Sequence, residues 1–151
     1  MLSTIEKVII LKDVELFAET PDELLTEVAG LLTEVEVAPG ESVFAKGDNG
    51  DSLYIIVNGE VRVHDGAYTI NTLGESEVFG EMALLDPEPR MASVTAEGDT
   101  LLLRLDQDPF YELMDARSEV ARGIIRVLSN RLRLRVQEVA TLRSNLTPTN
   151  S

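Results

Sequence analysis

Cysteine is absent from this 151-residue chain, and histidine occurs only once. The lack of cysteine excludes disulfides, thiolate metal sites and cysteine nucleophiles. A single histidine, His64, gives no convincing Ser-His-Asp arrangement, and it falls short of the histidine clusters that metal-dependent β-barrel enzymes need. We therefore expect that the chain is not an enzyme and that it carries no cofactor and no metal.

Long apolar runs and positive charge are also scarce. No apolar run approaches the ~20 residues of a membrane-spanning helix, and no signal peptide opens the chain. We therefore expect a cytoplasmic protein with no membrane span in this chain. Only 13 lysines and arginines oppose 27 acidic residues, giving a formal net charge of −14. Because such a charge repels phosphate backbones, we expect no direct nucleic acid binding.

One segment is an exception to this acidic balance. Residues 116–143 hold seven arginines against two glutamates. This pattern is typical of a solvated helix face that balances an acidic body. It also fits a face that docks on something acidic, including the domain itself. The sequence leaves both interpretations open.

The spacing of apolar residues predicts the order of elements. Thr20, Pro21 and Glu23 have the spacing of a helix start. Alternating residues and glycine turns, including Asn58-Gly59 and Asp65-Gly66, then predict short strands from about 32 to 107. We expect a mainly β domain over 1–144 with flanking N-terminal helices. Its centre is a jelly-roll-like β-roll, a double-stranded β-helix, and a flexible tail follows at 145–151.

Helical spacing returns after the predicted strands, from about 108 to 143. The pair Asp108-Pro109 is typical of a first helical turn, and a longer helix is predicted from about Ser118 to Leu142. Its apolar residues recur every three or four positions and form one stripe, made of Val120, Ile124, Leu128, Leu132, Val136 and Val139.

The most informative stretch is VFGEMALLDPEPRMASV at 78–94, in which an arginine follows an acid by nine residues. Together with GDNGDSLYIIVNGEVRV at 47–63, it resembles the cyclic nucleotide-binding domain family. This family is shared by catabolite-activator-type regulators, protein kinase A regulatory subunits and cyclic nucleotide-gated channels. The matches to its phosphate-binding cassette are Phe79, Gly80, Glu81, Met82, Ala83, Leu84, Arg90 and Ala92. Met91 departs from the pattern, because the family usually has Ala, Ser or Thr there.

The resemblance implies a set of ligand-binding residues: Gly80, Glu81, Met82, Ala83, Arg90, Met91 and Ala92. Glycine allows close approach of the backbone, and a helix that begins near Glu81 points free N–H groups at a phosphate. Arg90 can make a charge-assisted contact to the same phosphate. By resemblance, Glu81 accepts from the ribose 2′-hydroxyl and helps to orient Arg90.

The resemblance also implies a sensor that binds a cyclic nucleotide. Relatives that prefer cGMP often place Thr or Ser directly after the arginine, where Met91 has no hydroxyl, so we expect cAMP to be favoured over cGMP. The alternative is a ligand-free scaffold or interaction module of the same fold, as a fragment of a larger regulator, channel or transporter. The C-terminal helix could close over the pocket, pair with a second copy as a homodimer, or contact a neighbour in a parent protein.

Overall fold

The computed structural model describes residues 1–146, which form ten β-strands, five α-helices and one 3₁₀ helix. The strands are β1 Thr33–Val37, β2 Ser42–Phe44, β3 Asn49–Gly50, β4 Ser52–Asn58, β5 Val61–Asp65, β6 Tyr68–Leu73, β7 Val78–Phe79, β8 Glu88–Pro89, β9 Ser93–Ala96 and β10 Thr100–Asp106. The helices are α1 Thr4–Lys12, α2 Asp22–Ala29, α3 Glu81–Leu85, α4 Gln107–Ala116 and α5 Ser118–Leu146, and the 3₁₀ helix is Glu15–Phe17. Within this range, no helix has both the length and the apolar character needed to span a membrane.

Two antiparallel four-stranded sheets form the β-roll. The first has the order β1-β10-β4-β7 and the second has the order β2-β9-β5-β6, while β3 and β8 pair as a separate ribbon. Apart from the hairpin of β5 and β6, consecutive strands lie in different sheets, as expected for a jelly-roll-like roll. The predicted turn at Asp65-Gly66 joins β5 to β6, and Gly66 has a φ of 58°, a left-handed value that glycine adopts at little cost. The mainly β prediction with flanking helices is confirmed.

The core has two parts, one on each side of the first sheet. The helices pack against its outer side, where the rings of Phe17 and Phe110 meet edge to face at 5.9 Å. Between the two sheets lies a second cluster that includes Ile56, Phe79 and Leu102. The cassette therefore rests on a packed layer, since β7 brings Phe79 into the cluster immediately before α3 begins.

The first two helices begin in different ways. The N-terminal helix α1 has a capping box, in which Ser3 and Glu6 satisfy each other's backbone N–H groups. The predicted cap at Thr20 is wrong, because Pro21 is the N-cap of α2 and no side chain caps this helix. Thr20 is instead buried near α5, where a Cβ on Gly123 would lie 3.5 Å from its hydroxyl. Tertiary packing thus overrides the local capping pattern.

The C-terminal helix α5 runs from Ser118 to Leu146, slightly beyond the predicted end near Leu142. Only the first half of its predicted stripe packs on the domain, where Val120 and Ile124 are buried. Gly123 allows this approach, because a Cβ there would lie 2.9 Å from the carbonyl oxygen of Glu19. The second half of the stripe is exposed. Most of the predicted flexible tail, residues 147–151, lies outside the described residues.

Candidate ligand-binding site

A cavity of about 310 Å³ opens between the second sheet and the segment from β7 to β9. Its volume lies at the lower end of the roughly 300–1,000 Å³ of small-ligand sites. All seven predicted ligand-binding residues line it, together with an apolar wall: Gly80, Glu81, Met82, Ala83, Arg90, Met91 and Ala92, with Phe44, Val63, Val78, Phe79 and Val94. The cassette motif therefore folds around one cavity.

Arg90 is held inside this cavity through both its backbone and its side chain. Its N–H donates to the carbonyl of Asp48 at 2.7 Å, and its own carbonyl accepts from Gly47 at 2.8 Å. The side chain is unusually buried for an arginine, since the residue is only 9% exposed. Its Nη2 donates to the carbonyl of Ser52 at 3.0 Å, and its Cζ lies 4.2 Å from the ring centroid of Phe44.

Two glycines leave room for the Arg90 side chain. A Cβ on Gly50 would lie 2.3 Å from Nε of Arg90, and a Cβ on Gly80 would lie 2.7 Å from its Nη1. Gly80 also has a φ of 80°, so the turn into α3 needs glycine for its backbone. Gly50 lies in β3, outside the cassette motif, and its close approach to Arg90 makes it part of the site.

The guanidinium of Arg90 forms no ion pair with the acidic residues that the structure describes. None of the ion pairs found in residues 1–146 includes it. Burial lowers the pKa of Arg90, while Tyr54, Asp51 and Asp48 act in the opposite direction. Because arginine remains protonated in proteins, the site keeps a positive charge that is not neutralised by a contacting carboxylate. Such a site favours an anion.

Glu81, at the first position of α3, pairs with α5. Its two carboxylate oxygens accept from Nη1 and Nη2 of Arg131 at 3.1 and 3.2 Å, a two-pronged geometry. Nε of Arg131 donates to Glu15 at 2.5 Å. These bonds, first with Glu15 and then with Glu81, raise the pKa of Arg131. We expected Glu81 to orient Arg90, but its ion pair is with Arg131.

The remaining cassette residues differ in exposure. Met91 is 83% exposed and Met82 is 55% exposed, so both thioethers stand at the rim of the cavity. Ala83 is buried, and Ala92 is partly buried. Small residues thus lie on the inner wall, whereas the two methionines are free to contact a bound molecule or solvent.

A second and larger cavity, of about 510 Å³, lies at the ends of β1 and β10. Glu36, Glu41 and Asp99 line it, so its charge does not suit an anion. In the described part of the chain, no group of His, Asp or Glu side chains is arranged to hold a metal ion. The Arg90 cavity is therefore the better candidate site.

Comparison with known proteins gives a consistent match. The sequence model of the cyclic nucleotide-binding domain matches residues 34–117. A CRP-like cAMP-activated global transcriptional regulator of Mycobacterium tuberculosis is 35% identical over 116 residues, covering 74% of this chain and 52% of that protein. A cAMP-dependent protein kinase type II regulatory subunit of Drosophila melanogaster is 36% identical over 103 residues, covering 68% of this chain and 27% of that protein.

A solved structure matches almost the whole fold. The N-terminal domain of a transcriptional regulator from Streptomyces coelicolor A3(2) is 32% identical, with a TM-score of 0.79. The match covers 94% of this chain and 99% of that domain. By contrast, the chain spans about half of the mycobacterial regulator and about a quarter of the Drosophila subunit.

Proposed function

The chain belongs to the cyclic nucleotide-binding domain family, and from this premise we propose that it is a sensor domain that binds cAMP in the Arg90 cavity. The observation that carries the proposal is the buried Arg90 guanidinium, which has no ion pair among the described residues and lines a cavity beside Glu81. A cyclic nucleotide supplies the missing negative charge as a phosphodiester. Calorimetric titration with cAMP and cGMP tests this proposal directly.

Each part of the nucleotide has a chemical counterpart in the cavity. The phosphodiester meets Arg90, and the first N–H groups of α3, which have no acceptor within the helix, add further donors. The ribose 2′-hydroxyl meets the carboxylate of Glu81. The base lies towards the rim, near Met82 and Met91. Among the seven residues that the cassette motif predicts for binding, this assignment gives side-chain roles to Glu81, Met82, Arg90 and Met91.

A preference for cAMP over cGMP is part of the proposal. The side chain directly after Arg90 is the exposed thioether of Met91, which offers no hydroxyl to the amino group of guanine. The printed names of the mycobacterial and Drosophila relatives also refer to cAMP. Since one hydrogen bond contributes about 1 kcal/mol net, we expect a preference of about fivefold.

Competition binding with the two nucleotides checks this preference. Met91→Thr should bring the two affinities closer together, because it restores a hydroxyl beside the arginine. Met91→Leu is the matched control and should keep the preference of the parent. A parent protein that binds cGMP more tightly than cAMP would contradict the expectation.

The signal is proposed to leave the site through α5. Arg131 joins α5 to the carboxylate that the ribose is proposed to use. The other end of α3 is tied to α4, because Gln107 donates to the carbonyl of Leu84 at 3.0 Å and Tyr111 donates to that of Leu85. A ligand that fixes α3 therefore acts on both C-terminal helices.

Amide hydrogen exchange can follow this coupling in solution. Saturating cAMP should slow exchange across residues 120–139 in the parent, and Arg131→Gln should reduce that effect. Arg133→Gln is the matched control, since it removes the same charge from the same helix, and the side chain of Arg133 donates to Asn130 and not to the cassette. Unchanged exchange in the parent at saturating cAMP would show that α5 is not the readout.

The exposed end of α5 is proposed to pair with a second copy of the chain. Residues spaced alternately by three and four form a coiled-coil seam, made of Ile125, Leu128, Leu132, Arg135, Val139, Leu142 and Leu146. Six of these seven are apolar, and all but Leu128 are exposed on the single chain. Packing against an identical helix would remove this apolar surface from water.

Sedimentation velocity tests this pairing. Leu142→Glu should shift the protein towards monomer, because it places a charge in the seam. Leu134→Glu is the matched control, since Leu134 is equally exposed, at 59% against 60%, but lies off the seam. A parent that stays monomeric at high concentration, or an equal effect of both variants, would rule out the seam.

The scaffold alternative has one observation in its favour. Glu81 already forms an ion pair with Arg131, so its carboxylate is satisfied without a ligand. Titration separates the two functions, because a scaffold gives no heat with either nucleotide. Direct nucleic acid binding is not part of the proposal, because the net charge of −14 repels phosphate backbones. Catalysis is not part of the proposal either. We also propose a cytoplasmic location.

A further inference from the structure

The ring of Phe44, at the end of β2, lies against the guanidinium of Arg90 with 4.2 Å from Cζ to the ring centroid. We propose that Phe44 is a positioning residue for phosphate recognition, which holds Arg90 in place and leaves its charge available to the ligand. This inference rests on the proposed function. It assigns a specific task to an aromatic side chain that lies outside the cassette motif.

The local structure aims Phe44 at Arg90. The pairing of β2 with β9 shifts between Ser42, opposite Thr95, and Phe44, opposite Val94, so the strand bulges there. A bulge changes the direction of a side chain. Two further rings then fix the orientation, since Phe44 lies 6.0 Å from Tyr54 and 5.9 Å from Phe79.

These two neighbouring rings are themselves firmly placed. Tyr54 and Phe79 occupy paired positions of β4 and β7. Their rings stack at 5.1 Å with an interplanar angle of 10°. The face of Phe44 is therefore held by a layer that belongs to the first sheet, and its orientation does not depend on the exposed loop around Met91.

An aromatic ring suits this task better than a carboxylate. The negative face of the ring attracts the guanidinium and partly offsets the cost of its burial. A carboxylate would do the same, but it would neutralise the charge and compete with the phosphate for the same N–H groups. With Phe44 on its face and the Ser52 carbonyl on one N–H, Arg90 keeps its remaining N–H groups for an anion.

Stepwise fluorination of the Phe44 ring tests the proposal. Introducing one, two and then three fluorines at this position withdraws electrons from the ring face and changes its shape little. We expect the Kd for cAMP to rise with each fluorine, by about tenfold in total. The same series at Phe110, whose ring packs against Phe17 on the helix side of the first sheet and does not line the cavity, is the control and should leave the Kd nearly unchanged. In an Arg90→Ala background, the dependence on fluorine at position 44 should disappear.

A second measurement is made on the ligand-free protein. The NMR signal of the Arg90 Nε–H should be displaced by the ring current of Phe44, and Phe44→Leu should remove that displacement. A parent that binds cAMP with an affinity independent of fluorination overturns the positioning role. A parent that binds no cyclic nucleotide overturns the proposed function instead. In that case a displaced Arg90 signal supports the contact between Phe44 and Arg90, and an undisplaced signal overturns that contact.

Discussion

Replacing Arg90 by alanine should weaken cAMP binding by about 2–4 kcal/mol, a loss of roughly thirtyfold to a thousandfold. The phosphodiester would then enter an apolar cavity without its charge partner. Arg90→Lys should recover only part of the loss, because an ammonium group restores the charge but not the planar fork. Calorimetry on the three proteins measures these differences.

The fold should tolerate the same substitution better than the site does. Arg90 is a buried cation without an ion pair in the described chain, so its removal relieves a desolvation cost while it frees one carbonyl, that of Ser52. We expect a small change in the unfolding midpoint. Arg133→Ala, on the exposed face of α5, is the matched control for binding. Equal cAMP affinities of the parent and Arg90→Ala would refute the proposed phosphate site.

The second large effect is expected from Gly50→Ala. A Cβ at this position would lie 2.3 Å from Nε, 2.6 Å from Cζ and 2.8 Å from Cδ of Arg90, so the Arg90 side chain must move. The backbone of Gly50 is not in the left-handed region, so alanine adds no left-handed backbone strain and acts through the displaced Arg90 side chain. We expect a loss of cAMP affinity of about tenfold to a hundredfold, because a displaced guanidinium misses the phosphate.

A glycine between β9 and β10 provides the control for this substitution. Gly98 has no positive φ and nothing within 4 Å of an added Cβ, so Gly98→Ala should leave both affinity and stability unchanged. Thermal unfolding should show Gly50→Ala close to the parent. If Gly50→Ala binds cAMP as tightly as the parent, the position of Arg90 does not depend on the space that Gly50 leaves.

The strands and their turns were accessible from the sequence because their signals are local. Alternation of apolar residues marks β1 and β5, and the Asp-Gly pair marks the turn at Gly66. Helix α1 was not identified as such, since its only clear local signal is the Ser3–Glu6 capping box. The predicted apolar stripe of α5 was incomplete for another reason. Spacing shows which residues share a face, but it does not show that Val120 meets the core while Val139 meets solvent.

The cassette was likewise predicted from a short motif, and its partners were not. All seven predicted ligand-binding residues line one cavity because a contiguous segment folds around it. The contacts that decide the chemistry bridge long stretches of chain. Ser52 reaches Arg90 across 38 residues, and Arg131 reaches Glu81 across 50. No local spacing encodes such contacts, and the space beside Gly50 exists only once β3 and β8 are paired.

The ion pair between Arg131 and Glu81 makes the proposed coupling reciprocal. In the proposed complex, a ribose hydroxyl and Arg131 share the carboxylate of Glu81. The factor by which bound cAMP changes the stability of the contact between α5 and α3 then equals the factor by which a change in that contact alters cAMP affinity. A second copy that binds the exposed end of α5 would therefore change the cAMP affinity of the domain without touching the cavity. cAMP affinity should then depend on protein concentration, and the slope of that dependence would report how strongly pairing and ligand binding are linked.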